Sequence, residues 1–228
     1  MLLYIGGVRR SASTLAFQMA TELVGEPNRI RRWQDRPNYV LGNNKSWFTT
    51  KGHGYVGELE KDAANGLVEV FATIRDPRDI VVSIMQLYGY PDGEKSSVEA
   101  VLGRGWLQHD IAAQRKWRKN FPDHYTAIRY EDFYQSIHLL PMLMGMLMQA
   151  TVSLDRALEL GEKFSYLNNR ERSKEQGTIA ADMLFPNHVQ TGMVDMWMYM
   201  LSTSEIMMIQ EEIGEDWFNE NGYKLWKG

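Results

Sequence analysis

Short apolar runs alternate with amphipathic segments along the first half of the chain. Residues 2–5, 67–75 and 125–129 read as strands, the first two of them strongly apolar. Helical segments lie between them, and in residues 13–24 the apolar Leu15, Met19 and Leu23 recur at helical spacing. Strands that alternate with helices predict an α/β fold of three layers, with a mainly parallel central sheet flanked by helices.

Further helices are predicted after the second apolar run. The helix over residues 76–89 has clear start signals, because Asp76 can cap it and Pro77 lies in its first turn. One long helical region is predicted over residues 97–119, and most of the C-terminal half is helical. No repeat, low-complexity tract or linker divides the chain, so we expect a single domain over residues 1–228.

Composition excludes several classes of function. The net charge of −4 argues against a general nucleic-acid binder, which would be basic. The absence of cysteine excludes disulfides, a thiolate nucleophile and a cysteine-based zinc site. No signal peptide and no apolar run of about 18 residues is visible, so we expect a cytoplasmic protein without a membrane span. The Met-rich residues 139–150 come closest to such a run and predict a buried helix.

The chain opens with YIGGVRRSASTLAFQMA, residues 4–20, in which a strand runs through a turn into a helix. Free N–H groups and the helix dipole favour an anion at such a turn. The ATP-binding pattern G-x-x-x-x-G-K-[ST] would begin at Gly6, but Ser11 and Ala12 stand at its second glycine and its lysine. The sequence therefore predicts a phosphate held without magnesium, and the alternative is a strand–turn–helix with solvated arginines. The groups that would hold the phosphate are Arg10, Ser11, Ser13 and Thr14.

A second candidate anion site lies in VFATIRDPRDIVVS, residues 70–83. Arg75 ends a predicted strand and Ser83 lies in the following helix, so both side chains converge beside the start of that helix. A guanidinium and a hydroxyl suit a second phosphate. The alternative is that the charged residues between them only make a well-capped helix start. Two phosphate sites at consecutive strand ends indicate a ligand with two separate anionic groups, unlike ATP.

Both stretches resemble motifs of the sulfotransferases. The opening loop is similar to their 5′-phosphosulfate loop, P-[KR]-S-G-[TS]-T, with Arg9 in place of the proline and Ala12 in place of the glycine. Residues 70–83 are similar to their 3′-phosphate motif, R-[DN]-P-[RK]-D-x-x-x-S, at every fixed position. The resemblance implies a P-loop NTPase-like sulfotransferase fold and the co-substrate 3′-phosphoadenosine 5′-phosphosulfate (PAPS). It implies that the 3′-phosphate is held by Arg75 and Ser83 and the 5′-phosphosulfate by Arg10, Ser11, Ala12, Ser13 and Thr14. It also implies the product 3′,5′-adenosine bisphosphate (PAP) and no metal.

The sequence TTKGHG lies between the two phosphate motifs and resembles the K-[TS]-H element of many sulfotransferases, with Gly52 in place of the hydroxyl residue. In an extended segment Lys51 and His53 point to the same face. The resemblance implies that His53 is the general base and that Lys51 contacts the leaving group. A neutral imidazole, with a pKa of about 6.5, is suited to accept a hydroxyl proton. The reserve candidates for the base are Glu58 and Glu60.

Two later segments complete the resemblance. IRYEDF is similar to the family element [LV]-x-Y-E-D-[LF], which implies that Tyr130 lies near the adenine. Residues 187–197 resemble the loop that closes on the 3′-phosphate, which implies contacts from Gln190, Thr191 and Gly192. Cytosolic members often carry Arg-Lys at the first two of these positions, so we expect weaker binding on this side.

The sequence thus predicts an enzyme that moves the sulfuryl group of PAPS to a hydroxyl or amine of a small-molecule, sugar or lipid acceptor. An ATP-dependent kinase of P-loop fold and a catalytically silent nucleotide-binding module are the alternatives. The acceptor pocket is expected from residues 25–45, 86–104 and 168–187, whose aromatic residues do not identify the acceptor. No dimer element of the family is evident, so no oligomeric state is predicted.

Overall fold

The computed structural model describes residues 1–25, 28–30, 46–87, 97–175 and 192–228. Within them, one sheet has the strand order β2-β1-β3-β4, and every neighbouring pair is parallel. Its strands are β1 (Leu2–Gly7), β2 (Phe48–Lys51), β3 (Val68–Ile74) and β4 (Tyr125–Arg129). The helices of these residues are α1 (Ser13–Val24), α2 (Glu60–Ala64), α3 (Pro77–Leu87), α4 (Val98–Leu102), α5 (Trp106–Asn120), α6 (Tyr130–Phe133), α7 (Leu139–Leu147), α8 (Leu154–Lys163), α9 (Tyr166–Glu175), α10 (Trp197–Met200), α11 (Thr203–Ile213) and α12 (Glu215–Glu220).

The sheet is covered on both faces. Along β1, Leu3 and Ile5 pack in a core cluster with α1 and α7, whereas Leu2 and Tyr4 pack in another with Trp117 of α5. This is the period of two that a strand imposes on its side chains. Because both faces are buried, β1 is apolar at every position, and the prediction of a three-layer α/β fold is confirmed.

Several element predictions are confirmed, and one is wrong. The strand over residues 125–129 and the helix over residues 13–24 match β4 and α1. The predicted cap of α3 forms, because an Asp76 carboxylate oxygen accepts the amide of Arg78 at 2.9 Å. The single helix over residues 97–119 is instead two helices, α4 and α5. The break falls where Gly105 adopts a left-handed conformation with φ of 67°, which glycine reaches at little cost.

The Met-rich segment forms the predicted helix as α7, but this helix is only half-buried, because Met146 is exposed. Among the described residues, no helix combines the length and the apolar character needed to cross a membrane. The predicted acceptor loop over residues 25–45 lies mostly outside the described residues.

Parallel pairing brings the carboxyl ends of all four strands to one edge of the sheet. In the register of β1, Ile5 lies opposite Lys51 of β2 and Phe71 of β3. The segments that leave this edge carry most of the predicted site residues. Ligands of open α/β sheets bind outside the carboxyl ends of the strands, so this edge is where a site is expected.

Candidate active site

The loop from β1 to α1 has a strained backbone that packs tightly against β3. Arg10 and Ala12 have positive φ angles, 66° and 72°, which are uncommon for residues other than glycine. Gly7 also has a positive φ, and a Cβ atom there would lie 2.6 Å from the carbonyl oxygen of Thr73. Gly7 is therefore required twice, by its backbone angle and by the close approach of β3.

Ser11 fixes this loop from inside. Its side chain is fully buried, and its hydroxyl lies 2.5 Å from the carbonyl oxygen of Val8 and 2.7 Å from that of Thr73. Its amide donates to the same Val8 carbonyl at 3.2 Å. The sequence made the Ser11 hydroxyl a donor to phosphate, whereas the structure directs it into the core. Ser11 therefore holds the shape of the loop.

The first turn of α1 offers donors to an anion. Ala12 occupies the N-cap position in a left-handed conformation and has no side-chain acceptor for the first amides of the helix. The amides of Ser13 and Thr14 have no acceptor within the helix, as at any helix start. They lie at the positive end of the helix dipole, which is a ready site for a phosphate group.

Lys51 ends β2 and reaches the start of α1. Its ammonium group donates to the Thr14 hydroxyl at 2.8 Å. Removal from water, together with the nearby charges of Arg10 and Arg9, lowers the pKa of Lys51 to about 8. An anion bound between these cations would favour the charged form of Lys51, so the cluster is arranged to receive negative charge.

His53 lies against the same loop. Its Nδ1 is 2.9 Å from the carbonyl oxygen of Gly7, and because a carbonyl only accepts, Nδ1 carries the proton. In the neutral ring Nε2 then bears the lone pair, which is the form that a general base needs. Lys51 and His53 thus both contact the β1–α1 loop, at Thr14 and Gly7.

The structure explains why glycine stands at position 52, where the family element has a hydroxyl residue. A Cβ atom on Gly52 would overlap the hydroxyl of Tyr4, which donates to the carbonyl oxygen of Gly54 at 2.9 Å. Tyr4 is buried, and this burial, with Asp110 nearby, raises the pKa of its hydroxyl. The Tyr4 hydroxyl therefore takes up the room that a side chain at residue 52 would need.

Glu58 and Glu60, the alternative candidates for the general base, lie further along the chain in two short helices, whereas His53 contacts the loop between β1 and α1. Glu60 accepts a hydrogen bond from Tyr55 at 2.7 Å and lies 3.6 Å from the ammonium of Lys116. Glu58 is exposed on the short 3₁₀ helix Gly57–Leu59. His53 is the candidate that the structure brings to the loop.

The two predicted phosphate-binding stretches meet. Arg10 of the first loop donates from Nε to the Ser83 hydroxyl of α3 at 3.0 Å. Arg75, which follows β3, lies with one guanidinium nitrogen 3.4 Å from the Arg10 carbonyl oxygen. Its Nε is buried and has no hydrogen-bond acceptor among the described residues. Three donors from separate elements therefore converge on one place.

The other contacts of Arg75 orient its guanidinium. One nitrogen donates to the carbonyl oxygen of Met193 at 2.5 Å and lies 3.6 Å from the Asp79 carboxylate. The guanidinium lies 4.5 Å from the centre of the Tyr130 ring, and the Tyr130 hydroxyl donates to the carbonyl oxygen of Gly192 at 2.6 Å. Tyr130 and Gly192 thus lie beside Arg75. Gln190 and Thr191 lie outside the described residues.

Asp79 attaches the segment after Gly192 to α3. Its carboxylate accepts the amide of Asp195 at 2.8 Å and the amide of Trp197 at 3.1 Å. Burial raises the pKa of Asp79, while Arg75 and these amides oppose that rise. A shallow pocket beside this contact is lined by Arg75, Asp79, Val82, Ser83, Gln86, Gly192 and Met196.

Two charged residues of the same motif have a structural role. Arg78 is buried, pairs with Asp76 at 2.5 Å, and lies 3.8 Å from the ring centre of Trp197. It also donates to the carbonyl oxygen of Lys224 at 3.0 Å. The alternative interpretation of a charge-balanced helix start therefore holds for Asp76 and Arg78, which attach the C-terminal segment to α3.

Sequence reasoning missed the partner of Arg9. The amide of Arg9 donates to the Asp110 carboxylate of α5 at 2.9 Å, and its guanidinium lies 3.6 Å from the other carboxylate oxygen. A signal was available, because Asp110 shares the helical spacing of the buried Leu107, Ile111 and Gln114. A carboxylate on the buried face of a helix indicates a specific partner.

No family model and no curated protein matches the sequence. Among solved structures, the chain is similar to mouse sulfotransferase SULT7A1 complexed with PAP, with a TM-score of 0.70 and 12% identity over 96% of this chain and 85% of that one. It is also similar to retinol dehydratase in complex with androsterone and the inactive cofactor PAP, with a TM-score of 0.64 and 12% identity over 98% of this chain and 82% of that one. A complex of retinol dehydratase with retinol and PAP gives a TM-score of 0.62.

The likeness covers nearly the whole chain at an identity too low to carry more than the fold. It agrees with the parallel sheet flanked by helices. The chain has the sulfotransferase fold.

Proposed function

We propose that this protein is a PAPS-dependent sulfotransferase, carried by a single domain. The observation that carries the proposal is the hydrogen bond from Arg10 to Ser83, which joins the predicted 5′-phosphosulfate loop to the predicted 3′-phosphate motif. A ligand at this site would meet donors from the start of α1 and from α3 together. The similar solved structures contain PAP, whose two phosphates suit such a pair of sites.

The residues present fit such a nucleotide. The first amides of α1 have no acceptor within the helix, and the buried Nε of Arg75 has none among the described residues, so each can donate a hydrogen bond to a phosphate oxygen. In the proposed complex, Arg10 and the amides of Ser13 and Thr14 hold the 5′-phosphosulfate. Arg75 and Ser83 hold the 3′-phosphate beside Gly192, and contacts from Gln190 and Thr191 stay a prediction of the sequence.

PAPS supplies the sulfuryl group and a phosphate leaving group. His53 accepts the acceptor's proton at Nε2, and the Gly7 carbonyl holds the ring in the required tautomer through Nδ1. Lys51 and Arg10 stabilise the negative charge that develops on the leaving group. In this proposal protein cations carry the charge that lysine and magnesium carry in the ATP loop.

The acceptor carries a hydroxyl or an amine that receives the sulfuryl group, because these are the groups from which a neutral imidazole removes a proton during transfer. A P-loop kinase and a silent nucleotide-binding module remain outcomes of the test. The kinase would prefer ATP with magnesium over PAPS. The silent module would bind PAP without turnover on any acceptor.

The decisive experiment measures transfer of labelled sulfate from PAPS to a mixed metabolite extract by the wild type and by His53→Ala. We expect the variant to fold and to bind PAP, and to lose transfer by a factor of roughly 10² or more. His124→Ala is the matched control, because His124 pairs with Glu69 at 2.9 Å and precedes β4, at the opposite edge of the sheet. Turnover retained by His53→Ala would remove His53 from the mechanism.

A further inference from the structure

Asp110 is a fully buried carboxylate that neither phosphate motif contains. A buried charge is costly unless it is paired and hydrogen-bonded. The Asp110 carboxylate receives the amide of Arg9, lies 3.6 Å from the Arg9 guanidinium, and lies 3.4 Å from Nδ1 of His109. Its strongest contacts are therefore to the loop between β1 and α1.

Arg9 is one of the two positions at which this loop departs from the family pattern, which has proline there. A proline would fix its own backbone angle and would carry no N–H to satisfy. Arg9 has a free backbone angle and an N–H in a tightly packed loop, and Asp110 accepts that N–H. The Arg9 guanidinium lies 5.2 Å from the ring centre of Trp106, so the side chain is also held against α5. A contact to α5 replaces the constraint of a proline ring.

Asp110 also lies among the cations of the site. Four charged or titratable groups surround it, from the loop, from α5 itself, from β1 and from β2: Arg9, His109, Tyr4 and Lys51. Burial raises the pKa of Asp110, and Arg9 and His109 oppose that rise. The carboxylate in turn raises the pKa of Lys51 against the opposite effects of burial, Arg10 and Arg9.

We propose that Asp110 is a positioning residue for the loop between β1 and α1. It holds this loop through the Arg9 amide, and its negative charge balances the surrounding cations. This inference rests on the proposed function, since it assigns Asp110 to the site that binds PAPS and PAP. Asp110 itself makes no contact with the reacting atoms in this proposal. It acts through Arg9 and, by its charge, through Lys51.

The first test is Asp110→Asn, which keeps a carbonyl acceptor for the Arg9 amide and removes the charge. The Kd of PAP is measured by calorimetry across a pH series, and thermal unfolding is measured alongside. We expect the alkaline loss of PAP affinity to set in at a lower pH than in the wild type, because Lys51 loses the anionic charge that raises its pKa. A residue with only a structural role would leave this pH profile in place. An unchanged profile would overturn the charge-balancing part of the proposal.

The second test replaces Arg9 and Asp110, singly and together. Asp110→Val leaves the Arg9 amide without its acceptor, and Arg9→Pro leaves the carboxylate buried without its partner. Each single variant should weaken PAP binding about tenfold or more, and Arg9→Pro with Asp110→Val should recover most of that loss. Additive losses in the double variant would overturn the positioning role. A wild type that does not bind PAP would instead overturn the proposed function.

Discussion

Ala12 stands where the family loop has glycine, and its backbone gives a measurable reason for that preference. Ala12 has φ of 72° and ψ of 22°, in the left-handed region. That conformation costs a residue with a Cβ atom about 1–2 kcal/mol, whereas glycine adds about 0.5–1 kcal/mol of unfolded-state entropy. Ala12→Gly should therefore stabilise the protein by about 0.5–1 kcal/mol, which raises Tm by roughly 1–4 °C in a chain of this size.

The assay is urea and thermal unfolding of the wild type, Ala12→Gly and a matched control, Ala112→Gly. Ala112 is exposed within α5, where the same substitution should cost about 1 kcal/mol. The two variants change the same atoms, so opposite signs isolate the backbone conformation at residue 12. A loss of stability in Ala12→Gly equal to that of the control would show that Ala12 is not left-handed in the folded protein.

Three further predictions concern separate contacts. Burial and the nearby arginines lower the pKa of Lys51 to about 8, so below that pH Lys51 is already charged and PAP binding should need no proton uptake. Above that pH the affinity for PAP should fall by up to tenfold per pH unit. Calorimetry should find no such fall in affinity for Lys51→Met. Gly52→Ala should cost about 1–3 kcal/mol by urea unfolding and less in a Tyr4→Phe background, and an equal cost in both backgrounds would argue against a clash with the Tyr4 hydroxyl. Asp79→Ala should speed hydrogen exchange at the Trp197 amide, which loses its acceptor, and unchanged exchange would contradict the anchoring role of Asp79.

Much of this architecture was predictable because local patterns and burial agree. The apolar run of β1 and the periodicity of α1 identify both elements, and a parallel sheet follows from their alternation with further strands and helices. The spacing of Arg75 and Ser83 predicted that these two side chains lie on one side of the start of α3. Their contacts with Arg10 of the first loop were not predicted, although both stretches follow strands that end at one edge of the sheet.

The role of Ser11 was not predictable from its residue type. A hydroxyl in a phosphate loop can face the ligand or the interior, and the choice depends on the Thr73 carbonyl of a strand 62 positions away. The break between α4 and α5 was missed for a related reason. Glycine within a helical pattern is tolerated, and only the left-handed conformation of Gly105 at the start of α5 shows that the pattern is broken there.

Two of the departures from the family motifs, Arg9 and Gly52, each have a compensating residue far along the chain. Tyr4 fills the space beside Gly52, and Asp110 binds the amide of Arg9 from a helix 101 positions away. A motif comparison scores each position alone, so it counts both departures as losses. In the structure each departure is one half of a contact. The contact of Gly52 with Tyr4 lies next to Lys51 and His53, and the contact of Arg9 with Asp110 lies in the loop between β1 and α1. Residues outside the motifs thus hold the loop that carries Arg10 and the segment that carries Lys51 and His53, and the proposed sulfuryl transfer depends on both.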